Sequence, residues 1–264
     1  MVDYMAENNT KTHFEFDKLQ MYFREPYKIS FQDTEDIIIK QPSINDILLF
    51  GEKNFYSMLY TFVLNPTSYR LQLWDMGVDW NKITDYQLFC MFVNGLDQRS
   101  TSILFGDIDF QKFKICSKKS IENEDEIIVL YNEEQNIEIS ETTYQCISEY
   151  LRLMFNIFPK VEKAKGKATK QAIIDEERMN LKNNEDKDYK STLLPLISSC
   201  INHPGFKYKL EELREIGIVQ FMDSVQRLQI YESTTALMKG IYSGMVDAKQ
   251  LDKDALNFMR NIDK

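Results

Sequence analysis

Between residues 43 and 64, Ile44, Ile47, Leu48, Phe55, Met58, Leu59, Phe62 and Val63 recur near helical spacing, which predicts one amphipathic helix. Ser43 precedes it as an N-cap, Asp46 sits in its first turn and Asn65-Pro66 ends it. A second helix is predicted over 68–76, closed by Gly77, and a third over 83–94, with Thr84 as N-cap and Gly95 behind it. Upstream, the short β-branched and aromatic runs at 27–32 and 36–40 predict a β-hairpin. From Asp107 the pattern changes to alternation, with Ile108, Phe110, Phe113 and Ile115 apolar. Together with 126–132 and 137–140, residues 103–117 therefore predict two or three short antiparallel strands. A helix over 142–158 follows, carrying Tyr144, Ile147, Tyr150, Leu151, Met154 and Phe158 on one stripe.

Residues 159–190 break this pattern. They hold nine positive and seven negative residues and few apolar ones, which predicts a charged linker or an exposed helix over 168–184. Beyond 191 the signal is almost entirely helical. Residues 193–200 form an apolar segment with Pro195 in the first turn, His203-Pro204-Gly205 is a break, and 209–215 is a short helix. The longest predicted helix runs over 216–242. Val219, Met222, Val225, Leu228, Ile230, Leu237, Met238 and Ile241 supply its apolar face, and Gly244 terminates it. A last short helix or tail covers 248–262.

The fold class expected is therefore α+β, predominantly helical. It has a polar arm at 1–20, an α/β part at 21–158, the charged segment at 159–190 and a helical part at 191–264. The two parts either pack together as one body, which would give the apolar stripe of 216–242 a partner, or stand as independent domains joined by the charged segment. Nine Gly and six Pro in 264 residues agree with long helices rather than a turn-rich β architecture. Seventeen Phe and fourteen Tyr supply a core and exclude a wholly disordered chain. No apolar run reaches the length of a membrane-spanning helix, and the first eighteen residues lack the order of a signal peptide. A soluble, intracellular protein is expected. The net charge of −9 argues against a main role in binding a nucleic-acid backbone.

Candidate chemistry is sparse. Cys90, Cys116, Cys146 and Cys200 are far apart with no CxxC, and His13 and His203 stand 190 residues apart, so the thiols are expected to be reduced and buried and no metal site is expected. Gly166-Lys167 fails as a phosphate loop: position 161 is Val161 rather than Gly, position 168 is Ala168 rather than Ser or Thr, and no strand precedes it. The carboxylate pairs fall in predicted loops, where solvent equalises them, and no nucleophile elbow is present. No catalytic residue and no cofactor is assigned, and the chain is not expected to be an enzyme. Two features remain as candidate partner contacts. Trp74 and Trp80 bracket a corner, where helical spacing favours core and the residue type suits an interface. Lys160, Lys163, Lys165, Lys167 and Lys170 cluster ahead of Asp175, Glu176 and Glu177, either as a solvated linker or as an electrostatic contact site for an acidic partner or nucleic acid.

Several strings carry a family resemblance: FREPYKI, IKQPSINDILLFGEKNFYSML, YRLQLWDMGVDWNKITDYQLF, and the run at 193–247. Over most of 23–247 the chain resembles proteins encoded in tail-morphogenesis clusters of tailed bacteriophages and prophages of Gram-positive bacteria. Those relatives are described as tail assembly chaperones or baseplate-hub assembly proteins. The resemblance implies a non-catalytic, mostly helical protein of the host-cell cytoplasm. Its partners would be other tail proteins, namely tape-measure, tube or baseplate components. A structural subunit retained in the virion tail is the alternative within the same resemblance. An accessory protein acting through the lysine cluster is the alternative outside it. No functional residue is carried over.

Overall fold

The computed structural model describes residues 14–30, 34–119, 126–183 and 188–262. The sequence-predicted polar arm lies mostly outside the described residues, as does His13. The fold is mixed α+β and mostly helical, with two small antiparallel sheets. Helix α1 (Lys18–Tyr22) starts at Asp17, whose carboxylate accepts from Leu19 N and Gln20 N. Strands β1 (Tyr27–Ile29) and β2 (Ile37–Ile39) pair with Tyr27 opposite Ile39.

The predicted helix over 43–64 is two helices, α2 (Ile44–Phe50) and α3 (Glu52–Val63). Gly51 separates them at φ +90°, a backbone conformation that side-chain-bearing residues rarely adopt. The break turns Leu48 and Leu49 outward; both are exposed, and Leu49 is 79% so. Asn65 ends this region and caps a 3₁₀ turn by accepting from Ser68 N, and α4 (Arg70–Asp75) follows. Gly77, at φ +76°, closes α4, with Gly77 N bonded to Trp74 O and Val78 N to Leu73 O. Thr84 and Gln87 form a capping box at the start of α5 (Asp85–Phe92).

The strand predicted over 103–117 is a second correction. Asp97 caps a helix α6 (Gln98–Phe105), Gly106 ends it, a 3₁₀ turn covers Phe110–Lys112, and only β3 (Lys114–Lys119) is extended. The alternation around 108–113 had a different cause. Phe110 and Phe113 both turn into the core, and Phe110 packs on Phe62 and Phe105 with ring centroids 5.2 and 5.0 Å apart. Strands β4 (Glu126–Asn132) and β5 (Ile137–Ile139) complete the sheet in the order β3-β4-β5. Helix α7 (Glu141–Phe155) begins at Ser140 and ends at Asn156 in the left-handed region. The remaining helices are α8 (Lys167–Lys182), α9 (Leu193–Ile201), α10 (Leu210–Glu215) and α11 (Ile218–Tyr242).

The main core is aromatic. Phe62 packs against Phe89 and Phe105, and Tyr144 stacks on Phe89 at 4.7 Å while its hydroxyl donates to Phe62 O at 3.2 Å. Tyr86 Oη donates to Ile139 O at 2.7 Å and joins β5 to α5. Cys146 and Cys200 are buried, Cys90 and Cys116 are half-buried, and all four are free. Burial pushes the Cys90, Cys146 and Cys200 thiols up.

Leu193, Cys200, Leu213, Ile218, Phe221 and Val225 from α9–α11 join this same core. Where the two parts meet, segment 41–44 crosses 216–219. Ile44 N donates to Ile216 O and Ile218 N to Pro42 O, both at 3.1 Å. The buried Gln41 carboxamide donates to Met21 O at 2.7 Å and accepts from Val219 N at 3.4 Å. A Cβ at Gly217 would lie 2.7 Å from Arg24 Cγ and Cδ and closer still to Gln41 Oε1, so this position admits only glycine without displacement. A second tie is Glu52, at the start of α3. Its Oε1 accepts from Thr192 N (2.7 Å), Thr192 Oγ1 (2.7 Å) and Leu193 N (3.0 Å), capping α9 from a distant part of the chain. Partial burial raises the Glu52 carboxyl, but the donors from Ser191, Thr192 and Leu193 outweigh it and hold it below the ordinary range.

Gly217→Ala should cost about 1–3 kcal/mol in urea unfolding, the range for forcing an extra carbon into a filled space. Glu52→Ala should cost about 1 kcal/mol at neutral pH, as loss of a helix cap does. Because the folded carboxyl is depressed, its contribution is present above the unfolded value of about 4.3 and disappears as pH falls. The gap between wild type and variant should therefore narrow in acid, which unfolding curves at a series of pH values would read.

Candidate interaction surface

The charged segment does not run free of the body. Asn65 Nδ2 donates to Lys160 O at 3.0 Å, Glu162 N to Thr67 Oγ1 at 3.2 Å, and Asn81 Nδ2 to Ala164 O at 2.8 Å. These bonds lead the chain back over α4 and into α8, whose outer face is exposed. Its inner face contributes Ile174, at 0% exposure, to a second small core with Leu71, Leu73, Trp80 and Leu88. Ion pairs edge this contact: Arg70 Nε to Glu177 (2.6 Å), Arg70 Nη1 to Glu162 (2.8 Å), Lys170 Nζ to Asp79 (2.6 Å), and Arg178 to Asp75. Lys170 holds the Asp79 carboxyl below the usual range. Burial alone lowers the Arg70 guanidinium, and the two carboxylates more than reverse that.

The sequence-singled residues divide accordingly. Trp80 is buried and Trp74 half-buried, with ring centroids 5.9 Å apart. Lys170 sits 5.5 Å from the Trp80 ring centroid and is paired with Asp79, so its charge is spent on docking α8. Lys160, Lys163, Lys165 and Lys167 are exposed, with Glu162 among them. The structure thus brings Trp80 and Lys170 together in a structural contact and leaves four lysines at the surface. His203 is also occupied: Gly205 N donates to its Nδ1 at 3.0 Å, and its Nε2 lies 3.2 Å from Glu232 Oε1.

Sequence reasoning passed over the exposed apolar side chains. Leu19 and Phe23 of α1 and its C-cap stand out of the surface, as do Leu48 and Leu49 of α2. Arg24 ties these elements together, donating to Gln41 O (3.3 Å) and Glu215 O (2.9 Å) and lying 3.9 Å from Asp46. At the far end of α11, Tyr231, Tyr242, Met245, Phe258 and Met259 are exposed, Tyr242 at 82% and Met245 at 87%. On the β3–β4 hairpin, Ile115 and Ile128 are exposed while Lys114, Lys118 and Lys119 guard the edge strand. An open groove of about 610 Å³ runs between Phe14, Phe16 and Phe158, with Lys18, Glu149 and Arg152 on its rim. The signal for Leu48–Leu49 was Gly51 two residues later, and that for α11 was a second apolar stripe beside the first. Among the described residues, no group of three His, Cys, Asp or Glu side chains is placed to hold a metal ion, and no helix is long and apolar enough to cross a membrane.

Ile174→Ala should cost about 2–4 kcal/mol and raise amide exchange across 167–182 while α3 and α7 keep their protection. Equal loosening of all three helices would mean that α8 is not a separable docked unit.

Residues 182–263 match the family model described as YomV second domain, YomV being a Bacillus phage or prophage protein. The match takes in the end of α8, all of α9–α11 and the tail, under a third of the chain. No curated protein and no solved structure matches the chain.

Proposed function

We propose that the protein is a non-catalytic component of phage tail morphogenesis, acting in the host-cell cytoplasm as a tail or baseplate assembly chaperone. The observation that carries this reading is the pair Leu48–Leu49, exposed on a body of net charge −9 that also leaves Leu19 and Phe23 uncovered. Large apolar side chains held out on a rigid, strongly charged frame suit transient capture of an aggregation-prone client. The resemblance over 23–247 and the phage-linked match over 182–263 support the context.

The mechanism is reversible burial. An exposed leucine fully covered by a client gains about 1.5–3 kcal/mol, so a few such contacts give useful affinity while remaining reversible. The client is an apolar helical segment of a tail protein, such as a tape-measure protein. It is released when tail subunits polymerise over it. Twelve methionines add contact surface that adapts to more than one helix.

Quantitative mass spectrometry of purified virions beside the lysate of induced cells tests this. A chaperone is abundant in the lysate, absent from particles and recovered with tail proteins. Near-integer copies per particle would replace it with a retained tail or baseplate subunit. Leu48→Glu with Leu49→Glu should leave the fold intact, because both side chains are exposed, and should abolish recovery of tail proteins. Retention of those partners in the double variant would sink the assignment of this surface.

A further inference from the structure

We infer that the distal half of α11 is a self-association surface, pairing antiparallel with the same segment of a second copy of this chain. The inference goes beyond the chaperone reading and holds whether or not a tail client binds elsewhere.

Helix α11 has different jobs along its length. Up to Val225 it is buried in the main core through Ile218, Phe221 and Val225. Beyond that, one side is covered by the chain's own tail. Thr234 is buried and its Oγ1 donates to Ala255 O at 3.2 Å, while Arg227 Nη1 donates to Arg260 O at 2.7 Å. The neighbouring side carries Tyr231, Thr235, Met238 and Tyr242, spaced by four, three and four residues, and Met245 follows just past the helix end. That spacing keeps one stripe facing one direction, as a paired helix requires. Tyr231, Tyr242 and Met245 are exposed, Tyr242 and Met245 almost fully so among the described residues. Phe258 extends the stripe sideways, its ring edge-on to Tyr231 at 6.5 Å, and Met259 follows it. Gly244, at φ +74°, turns the chain at the helix end, with Met245 N bonded to Gly240 O, so the Met245 backbone is held at the end of α11 by a fixed cap.

Charge selects the occupant. Residues 228–246 contain one acid, Glu232, and one base, Lys239, seven residues apart. Seven residues is two helical turns, so both lie on the same flank of the stripe. Placed antiparallel about an axis near Thr235, Glu232 of each copy faces Lys239 of the other, which makes two favourable pairs. A parallel arrangement sets like against like. The Glu232 side chain is 59% exposed despite its contact with His203, so it remains reachable. This neutral, self-complementary stretch sits on a chain of net charge −9, where most other surfaces would repel a second copy. Covering Tyr231, Tyr242, Met245, Phe258 and Met259 on both copies removes on the order of 1,000 Å² of surface, the lower edge of a specific interface, so a micromolar dimer is expected.

Sedimentation of the full chain from low micromolar to near-millimolar concentration tests this. The expected result is a reversible shift from the 31.2 kDa monomer to twice that mass. Tyr242→Glu and, separately, Met245→Glu should each weaken association about tenfold or more with an unchanged circular dichroism spectrum. Glu232→Lys alone and Lys239→Glu alone should weaken it, and the two together should restore it, because the exchanged charges meet again across the axis. A monomer at every concentration overturns the inference. So does a dimer indifferent to Tyr242→Glu and Met245→Glu, or a double charge exchange that fails to rescue.

Discussion

Everything in this fold depends on the place where segment 41–44 crosses 216–219. The two stretches bond main chain to main chain, and the missing side chain of Gly217 lets Gln41 and Arg24 fill the space where a Cβ would stand. More than 170 residues lie between them, yet closing so long a loop costs only slowly more than closing a short one. Once it is closed, Ile44 and Ile47 of α2 share a core with Ile218 and Phe221 of α11, and neither helix would keep its apolar face out of water alone. The Glu52 cap on α9 is a second fastener of the same kind, from the first turn of α3 to a helix 140 residues on.

What could be read from the sequence was local. Ser43 and Thr84 cap their helices as side chains reaching three residues ahead, and Gly77 and Gly244 end theirs, because caps depend on neighbours within a turn. The β1–β2 hairpin and the β4–β5 pairing were visible for the same reason. Gly51 was hidden because the apolar spacing on both sides of it continues nearly in phase, and only its positive φ separates α2 from α3. Helix α6 was hidden because Ile103, Leu104 and Phe105 run into Ile108 and Phe110, so that a helix end and a turn together imitate a strand.

The candidate site was harder to read than the fold, since surface function depends on what remains uncovered. Lys170 and Trp80 had the residue types of a contact site, and a contact is what they make, but within the chain. The α8 segment looked solvated because its apolar content is low. One buried isoleucine and a set of ion pairs with residues 70–79 hold it nonetheless, and none of those partners is near it in sequence. Conversely, Leu48, Tyr242 and Met245 fit an apolar pattern and would be assigned to a core by type alone, and it is their exposure that marks them.

The two exposed apolar regions are linked mechanically. Arg24, held at φ +62°, bonds to Gln41 O and to Glu215 O, so it spans α1, the entry to α2 and the end of α10. Arg24 therefore joins the end of α1 and the start of α2, the elements that carry the exposed Leu19, Phe23, Leu48 and Leu49, to the crossing that anchors the first turns of α11. The distal end of α11 projects from that anchor as one continuous helix to Tyr242. The root of α11 is packed at Gly217 against Gln41 and Arg24, the same residues that join α1 to the entry of α2. The 182–263 segment thus contributes more than an appended surface: α9 and the first turns of α11 complete the core that Ile44 and Ile47 of α2 share.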